Sequence, residues 1–305
     1  MLIPFSWGYR LLGIIREIFS RKVKFPCYVI CVGNATIGGT GKTQLVKWLV
    51  QKLQNEYKIV VITKAYGVNL QKSVWVGTKS AQVVGDESKL LSAYAPVIAA
   101  PHPASAIELV KEYQPEIIIF DDGMQNPSFH KDLTILTINA TRGFGNGRII
   151  PAGPLRQSIK SAISQADMSI LIGHEAHNEE RELFEKKPFK ALIEAKNIEF
   201  VKEYFAFAGI SNPESFFALL KQKGVVVKMS RSFPDHYNYR KKDLQELLEA
   251  AESQNLELIT TEKDYVKIGD KIEKLNYLPV DLKFEVQEEQ KFLDEIKSYL
   301  KISPR

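Results

Sequence analysis

The sequence predicts a three-layer α/β/α domain with a mostly parallel sheet, followed by a smaller C-terminal α/β lobe, and three observations carry that expectation. Short apolar runs alternate with helix-like segments through the first two-thirds of the chain. One run leads through a glycine-rich loop into a helix, in VGNATIGGTGKTQLVKWL (32–49). The texture then changes near residue 188, where FKALIEAKNIEFV (189–201) reads as an extended ribbon. Apolar runs of about four to six residues, spaced by helices, are what a parallel sheet covered on both faces produces.

In order, YVICVG (28–33) is expected as a buried strand and TGKTQLVKWLVQKLQ (40–54) as the helix after it. KIVVIT (58–63) follows as a strand and DESKLLSAYA (86–95) as a short helix. PVIAA, PASAIELVKEYQ and EIIIF (96–120) read as strand, helix, strand, and LTILTI (133–138) and MSILIG (168–173) as two further strands. Between these last two lies TRGFGNGRIIPAGPLRQSIKSAISQAD (141–167), expected as a long functional loop. Beyond the ribbon the chain alternates again: NPESFFALLKQ, VVVKM, KKDLQELLEAAESQ, LELIT, YLPVDLKF and EEQKFLDEIKSYL. The expected division is 1–22 as an amphipathic segment, 23–195 as the larger domain and 196–305 as the smaller lobe.

Composition excludes several classes. With 45% hydrophobic and 25% charged residues the chain is neither disordered nor coiled coil. The excess of 41 basic over 36 acidic residues is too mild to indicate nucleic acid, and suits small anions or an anionic surface. Cys27 and Cys31 have neither redox nor zinc spacing, and in a strand they would stand about 13 Å apart, too far to bridge. No run reaches the ~20 apolar residues of a membrane span. MLIPFSWGYRLLGIIREIFSRK (1–22) lacks the form of a signal peptide but is amphipathic at helical spacing. It reads equally as an opening helix packed on its own domain or as a helix lying in a membrane interface.

The loop 36–43 ends in Gly41-Lys42-Thr43, yet Thr36 stands where a phosphate-binding loop opens with glycine. The strand before it and helix after it are the required context. Thr36, Ile37, Gly38, Gly39, Thr40 and Gly41 would present backbone N–H groups to ATP phosphates. Lys42 would reach the β- and γ-phosphates, and the Thr43 hydroxyl would face Mg²⁺. A P-loop nucleoside-triphosphatase-like domain follows. Asp121 and Asp122, ending EIIIF, are candidates for the metal, though Asp-Asp-Gly also makes a turn. Asp86 and Glu87 in GDES read as helix capping or as an acid–base group. His236, between neighbouring tyrosines, reads as packed or catalytic.

Seven strings in order, VGNATIGGTGKT, GDE, DDGMQ, RGFGNGRIIPAGPLR, AFAGISNPESFF, FPDHYNY and TEKDYVK, resemble the tetraacyldisaccharide 4'-kinase family of Gram-negative bacteria, over residues 30–267. The family's loop has the same T-x-GGTGKT opening. The resemblance implies transfer of the ATP γ-phosphate to the 4'-hydroxyl of a tetraacylated glucosamine disaccharide 1-phosphate, making lipid IVA, with Mg²⁺. It implies two α/β lobes joined by a short β ribbon, and attachment to the cytoplasmic face of the inner membrane through 1–22, with no obligate protein partner. By the same resemblance Asp86 is the base, paired with His236; because the two fall in different lobes, lobe closure is expected to complete the site. Gln125 falls near metal and nucleotide, while Arg142 and Arg148 become candidate phosphate or substrate contacts, with Glu87 beside them. Two positions depart from the family: Lys64 replaces an arginine and Asn126 a histidine. The alternative is a membrane-associated switch ATPase of the MinD-like kind, which leaves GFGNGR-PAGPLR unexplained.

Overall fold

The structure is a computed structural model describing residues 22–65, 67–174, 183–196 and 202–302, together with Ser6 and Ser20. Nine strands form the large sheet, in the order β13-β8-β7-β6-β1-β5-β2-β4-β3. Its centre is β1 (Tyr28–Asn34), flanked in parallel by β5 (Ile117–Asp121) and β6 (Leu133–Asn139). β2 (Ile59–Thr63), β4 (Val97–Ala99) and the short antiparallel β3 (Val74–Trp75) extend one side. β7 (Met168–Ile172), β8 (Phe189–Ala195) and β13 (Val280–Lys283) extend the other. Both faces are buried at the centre of the sheet, which is why β1, β2, β5 and β7 are mainly apolar, whereas β8 and β13 at one edge carry Lys190, Glu194, Asp281 and Lys283.

Helices fill the connections as expected. α1 (Lys42–Leu53) follows β1, α2 (Ala81–Val84) and α3 (Asp86–Leu91) follow β3, and α4 (Ile107–Tyr113) follows β4. The long segment 141–167 is not all loop. The Ser158 hydroxyl accepts from Ser161 N–H at 3.2 Å and starts α5 (Ile159–Ser164).

The smaller sheet has the order β10-β9-β11-β12 and is wholly parallel. Its strands are β9 (Glu203–Ala208), β10 (Val226–Ser232), β11 (Glu257–Thr261) and β12 (Leu275–Leu278), connected through α6 (Pro213–Gln222), α7 (Lys241–Ser253) and α8 (Glu262–Ile268). The run YLPVDLKF is broken at Pro279 into β12 and β13. β13 then leaves the small lobe and pairs antiparallel with β8, Val280 opposite Ala195. The expected ribbon is this β8–β13 pair, fused to the edge of the large sheet. α9 (Val286–Ile302) follows it, and Phe292 packs on Phe284 and Trp48 of α1. The small lobe thus spans Glu203–Leu278, shorter than the expected 196–305, because the chain beyond it buries its aromatic residues in the first core.

A buried ion-pair cluster stitches the lobes together. Lys47 of α1 is 1% exposed, and its ammonium lies 3.3 Å from Glu262 of α8, 3.1 Å from Asp281 of β13 and 2.9 Å from the Val280 carbonyl. It also sits over the Tyr94 ring, whose hydroxyl donates to Glu262.

Cys27 and Cys31 are both buried, and burial pushes the Cys31 thiol up to about 12, so it stays an unreactive small core residue. Among the described residues no helix is long and apolar enough to cross a membrane. The expected helix of 1–22 lies outside the described residues except for Ser6, Ser20 and Lys22; the Ser6 hydroxyl donates to the Ile149 carbonyl at 2.8 Å.

Candidate active site

The phosphate loop runs from the end of β1 to the start of α1. Gly41 caps the helix at φ 82 with no side-chain cap bond, leaving the first helical N–H groups directed outward. The positive φ is what favours glycine there, and a Cβ at Gly41 would in addition press on Ile172 Cδ1 at 2.8 Å. The opening half of the loop is held by PAGPLR. Ile37 N–H donates to the Pro154 carbonyl at 2.8 Å, Arg156 N–H donates to Ala35 at 2.7 Å, and Thr36 bridges to Leu155. Thr36 therefore needs no glycine torsion; its backbone is strand-like and fixed by a neighbour. Thr40 shares a hydroxyl hydrogen bond with Thr137 at 2.9 Å. Gly39 N–H donates to Ser211 of the small lobe at 3.2 Å.

The Asp121 and Asp122 carboxylates lie across from this loop at the end of β5. Thr43 Oγ1 donates to Asp121 Oδ2 at 3.3 Å. Asp121 Oδ1 is buried with no partner, and burial, then the Glu87 charge, push its carboxyl upward. An orphaned buried carboxylate oxygen beside a phosphate-loop threonine fits a hard divalent cation such as Mg²⁺. Among the described residues there is no group of three His, Cys, Asp or Glu that could hold a metal ion. Asp122 sits at φ 62, where aspartate is tolerated. It accepts from Arg156 at 2.9 and 3.0 Å and lies 3.7 Å from Lys42. Burial opposes its ionisation, but Lys42 and Arg156 hold it below the usual carboxylate range.

The Asp86–His236 pair is assembled at the lobe junction. Asp86 starts α3 and is 7% exposed, while His236 sits in the turn after β10 at φ 58. His236 Nδ1 is 3.0 Å from Asp86 Oδ2. Glu87 N–H donates to Asp86 Oδ1 at 3.0 Å, so capping and catalytic placement coincide in one carboxylate. A histidine at positive φ costs of order 1–3 kcal/mol, and such strain gathers at functional sites. Burial works against the charge of Asp86, but the His236 hydrogen bond and the Lys263 and Lys267 cations hold its carboxyl well below the usual range. The lobes meet through this pair.

One cleft of about 1550 Å³ is lined by Ile37 to Thr43, Glu87, Asp121, Asp122, Gln125, Arg156, His236 and Lys263. Gln125 donates to the Asn34 carbonyl at the foot of the loop. Arg142 is exposed, with its guanidinium beside Gly38, and Arg148 is exposed outside the cleft wall. Lys64 lines the cleft, and Asn126 closes a turn by accepting from Ser128. Sequence reasoning missed Arg156, Ser211, Lys263 and Lys267. The two lysines carried a signal, because four-residue spacing puts both on one face of α8.

The family model for tetraacyldisaccharide-1-P 4'-kinase (LpxK) matches residues 1–301. The chain belongs to this family. A tetraacyldisaccharide 4'-kinase of Rickettsia bellii is 44% identical over 287 residues, covering 92% of this chain and 89% of the relative. One of Rickettsia peacockii is 42% identical over the same shares. Among solved structures, an LpxK from Aquifex aeolicus in complex with ATP superposes with a TM-score of 0.76 at 29% identity, covering 97% of this chain and 98% of that one. The expected fold, with its mostly parallel sheet, is thereby matched in a relative as well as in the strand order.

Proposed function

We propose that this chain is a tetraacyldisaccharide 4'-kinase, moving the γ-phosphate of ATP to the 4'-hydroxyl of a tetraacylated glucosamine disaccharide 1-phosphate in lipid A biosynthesis. The observation that carries it is one cleft walled by both the phosphate loop and His236, whose imidazole is hydrogen-bonded to Asp86 just behind the wall. A switch ATPase needs the first and has no use for the second. The family match over 1–301 gives the MinD-like alternative no support.

In this reading residues 36–43 cradle the phosphates through backbone N–H groups, with Ser211 yielding its bond to Gly39. Lys42 turns from Asp122 to the transferring group and stabilises its charge. Thr43 and Asp121, with Asp122 beside them, would hold Mg²⁺, which supplies charge neutralisation at the β- and γ-oxygens when bound. Arg156 keeps Asp122 ionised and oriented. Asp86, oriented by His236, accepts the proton of the sugar hydroxyl. Glu87 and Gln125 border the space left for the sugar and phosphates, Arg142 stands beside Gly38 of the loop, and Arg148 lies outside the cleft lining. The lipid acceptor has to be drawn from a bilayer, which supports attachment of 1–22 to the cytoplasmic face of the inner membrane.

The test is phosphate transfer from labelled ATP, with Mg²⁺, to detergent-dispersed disaccharide 1-phosphate lipid. Label on the lipid is expected. ATP hydrolysis without lipid labelling would reject this reading.

A further inference from the structure

The TEKD turn at the start of α8 holds Asp86 ionised through Lys263, and the same lysine also touches the imidazole of His236 directly. Lys263 Nζ lies 3.2 Å from His236 Nε2, 3.5 Å from Glu87 and 3.7 Å from Asp86. Asp235 is 4.0 Å away. The turn is rigidly held. Asp264 is fully buried, accepts from Gly209 N–H and the Thr261 hydroxyl at 2.8 Å each, and pairs with Lys267 at 3.2 Å. Glu262, on the other side of Lys263, is locked to Lys47. Lys263 is thus aimed at the imidazole by anchors on both sides.

An ammonium carries three donors and no acceptor. A ring nitrogen facing it within hydrogen-bond distance has to accept. We propose that Lys263 is a positioning residue for phosphoryl transfer: it donates to His236 Nε2 and so fixes the imidazole with its proton on Nδ1, directed at Asp86. The proposal rests on the kinase reading and extends it. With Nε2 engaged, His236 does not take the substrate proton itself; it orients Asp86, and the carboxylate remains the acceptor. This also separates the site from a serine-protease-like order, in which Nε2 faces the nucleophile.

The charges around the ring agree. Asp86 faces it from α3, Asp235 from its own turn and Lys263 from α8, with Glu87 of α3 paired to Lys263 and Lys267 of α8 paired to Asp86. The Asp86 hydrogen bond raises the imidazole above its ordinary value, while burial and the Lys263 charge pull the other way. Removing the lysine charge therefore raises it further, leaving more imidazolium at neutral pH.

The test uses the full chain labelled with ¹⁵N-histidine, with His236 assigned by His236→Gln. Two-bond ¹H–¹⁵N correlation above the titration is expected to show protonated Nδ1 and unprotonated Nε2. In Lys263→Met the two tautomers should mix, and the acid limb of kcat/KM should move up by about one pH unit. Lys263→Arg, still a donor, should restore the Nδ1–H form. A wild-type spectrum with the proton on Nε2 overturns the proposal, and needs no variant to fold. So does a Lys263→Met protein with unchanged tautomer and acid limb. The expected tautomers in a wild-type protein that labels no lipid would uphold the positioning and reject the kinase reading instead.

Discussion

His236 Nδ1 and Asp86 Oδ2 stand 3.0 Å apart although 150 residues separate them. One comes from the turn after β10 in the small lobe and the other from the start of α3 in the large one. Asp86→Asn keeps the shape and removes the charge. It is expected to lower lipid phosphorylation by about 10²–10⁴-fold. Nucleotide affinity, measured separately by fluorescent ATP analogue titration, should stay within about twofold, since the phosphate loop is untouched. Full transfer activity in the variant would remove Asp86 from the chemistry.

The same pair sets a pH window for stability. His236 is raised above its ordinary 6.5, so its contribution is complete below that value and is lost as pH rises through the folded value. Asp86 is lowered from 3.8, so its contribution is complete above that value and is lost as pH falls. The pair therefore stabilises most between these limits. Urea midpoints of wild type and His236→Gln should differ more at about pH 5.5 than at about pH 8.5. An equal difference at both would show that the pair is not ionic. The His236 side chain is 33% exposed, so solvent screening keeps the effect modest.

Lys47→Met tests the buried cluster. The substitution leaves Glu262 buried and without its cation, at a cost of about 3–5 kcal/mol. Lys47→Met with Glu262→Met should recover much of that loss, because the stranded charge goes too. Urea unfolding of the three proteins decides it; additive losses would mean that the two residues act independently.

Gly41→Ala places a side chain at φ 82 and a Cβ 2.8 Å from Ile172 Cδ1. The expected result is a folded protein with ATP affinity reduced by about tenfold or more, from roughly 1–3 kcal/mol of loop strain. Gly77→Ala, at φ 46 with nothing within 4 Å of the added carbon, is the control for strain without contact. Unchanged ATP binding by Gly41→Ala would mean that this torsion is not what shapes the cradle.

Deleting residues 1–22 addresses the membrane. The truncated chain should leave the membrane pellet for the supernatant while ATP binding persists. It also loses the Ser6 contact to Ile149, so a folded baseline by circular dichroism belongs in the comparison. An unchanged membrane fraction would place the attachment elsewhere.

Local pattern made the parallel strands and phosphate loop readable, since burial on both faces leaves β1, β2 and β5 mainly apolar and β6 broken only by threonines before its final Asn139. Thr36 looked anomalous only until Leu155 was seen beside it, a pairing across more than a hundred residues. The return of β13 to β8 was hidden for the same reason, because antiparallel partners are chosen by non-local packing. Asp86 and His236 could be named individually, but neither capping nor aromatic flanks distinguishes a catalytic carboxylate or imidazole from a plain one. Their contact decides, and only the fold supplies it. Lys263 was visible as a letter in TEKDYVK, while its anchoring by Glu262 and Asp264 was not.

The path of β13 and α9 has a further consequence, for the order of assembly. β8 waits for its antiparallel neighbour until the whole small lobe has been made, and Trp48 waits longer still for Phe292. During synthesis one edge of the large sheet and part of its core therefore stand open while the intervening strands fold. The small lobe is in effect inserted before the last strand of the large sheet, and a ribosome-stalled chain ending near residue 278 should bind chaperones that the released protein does not.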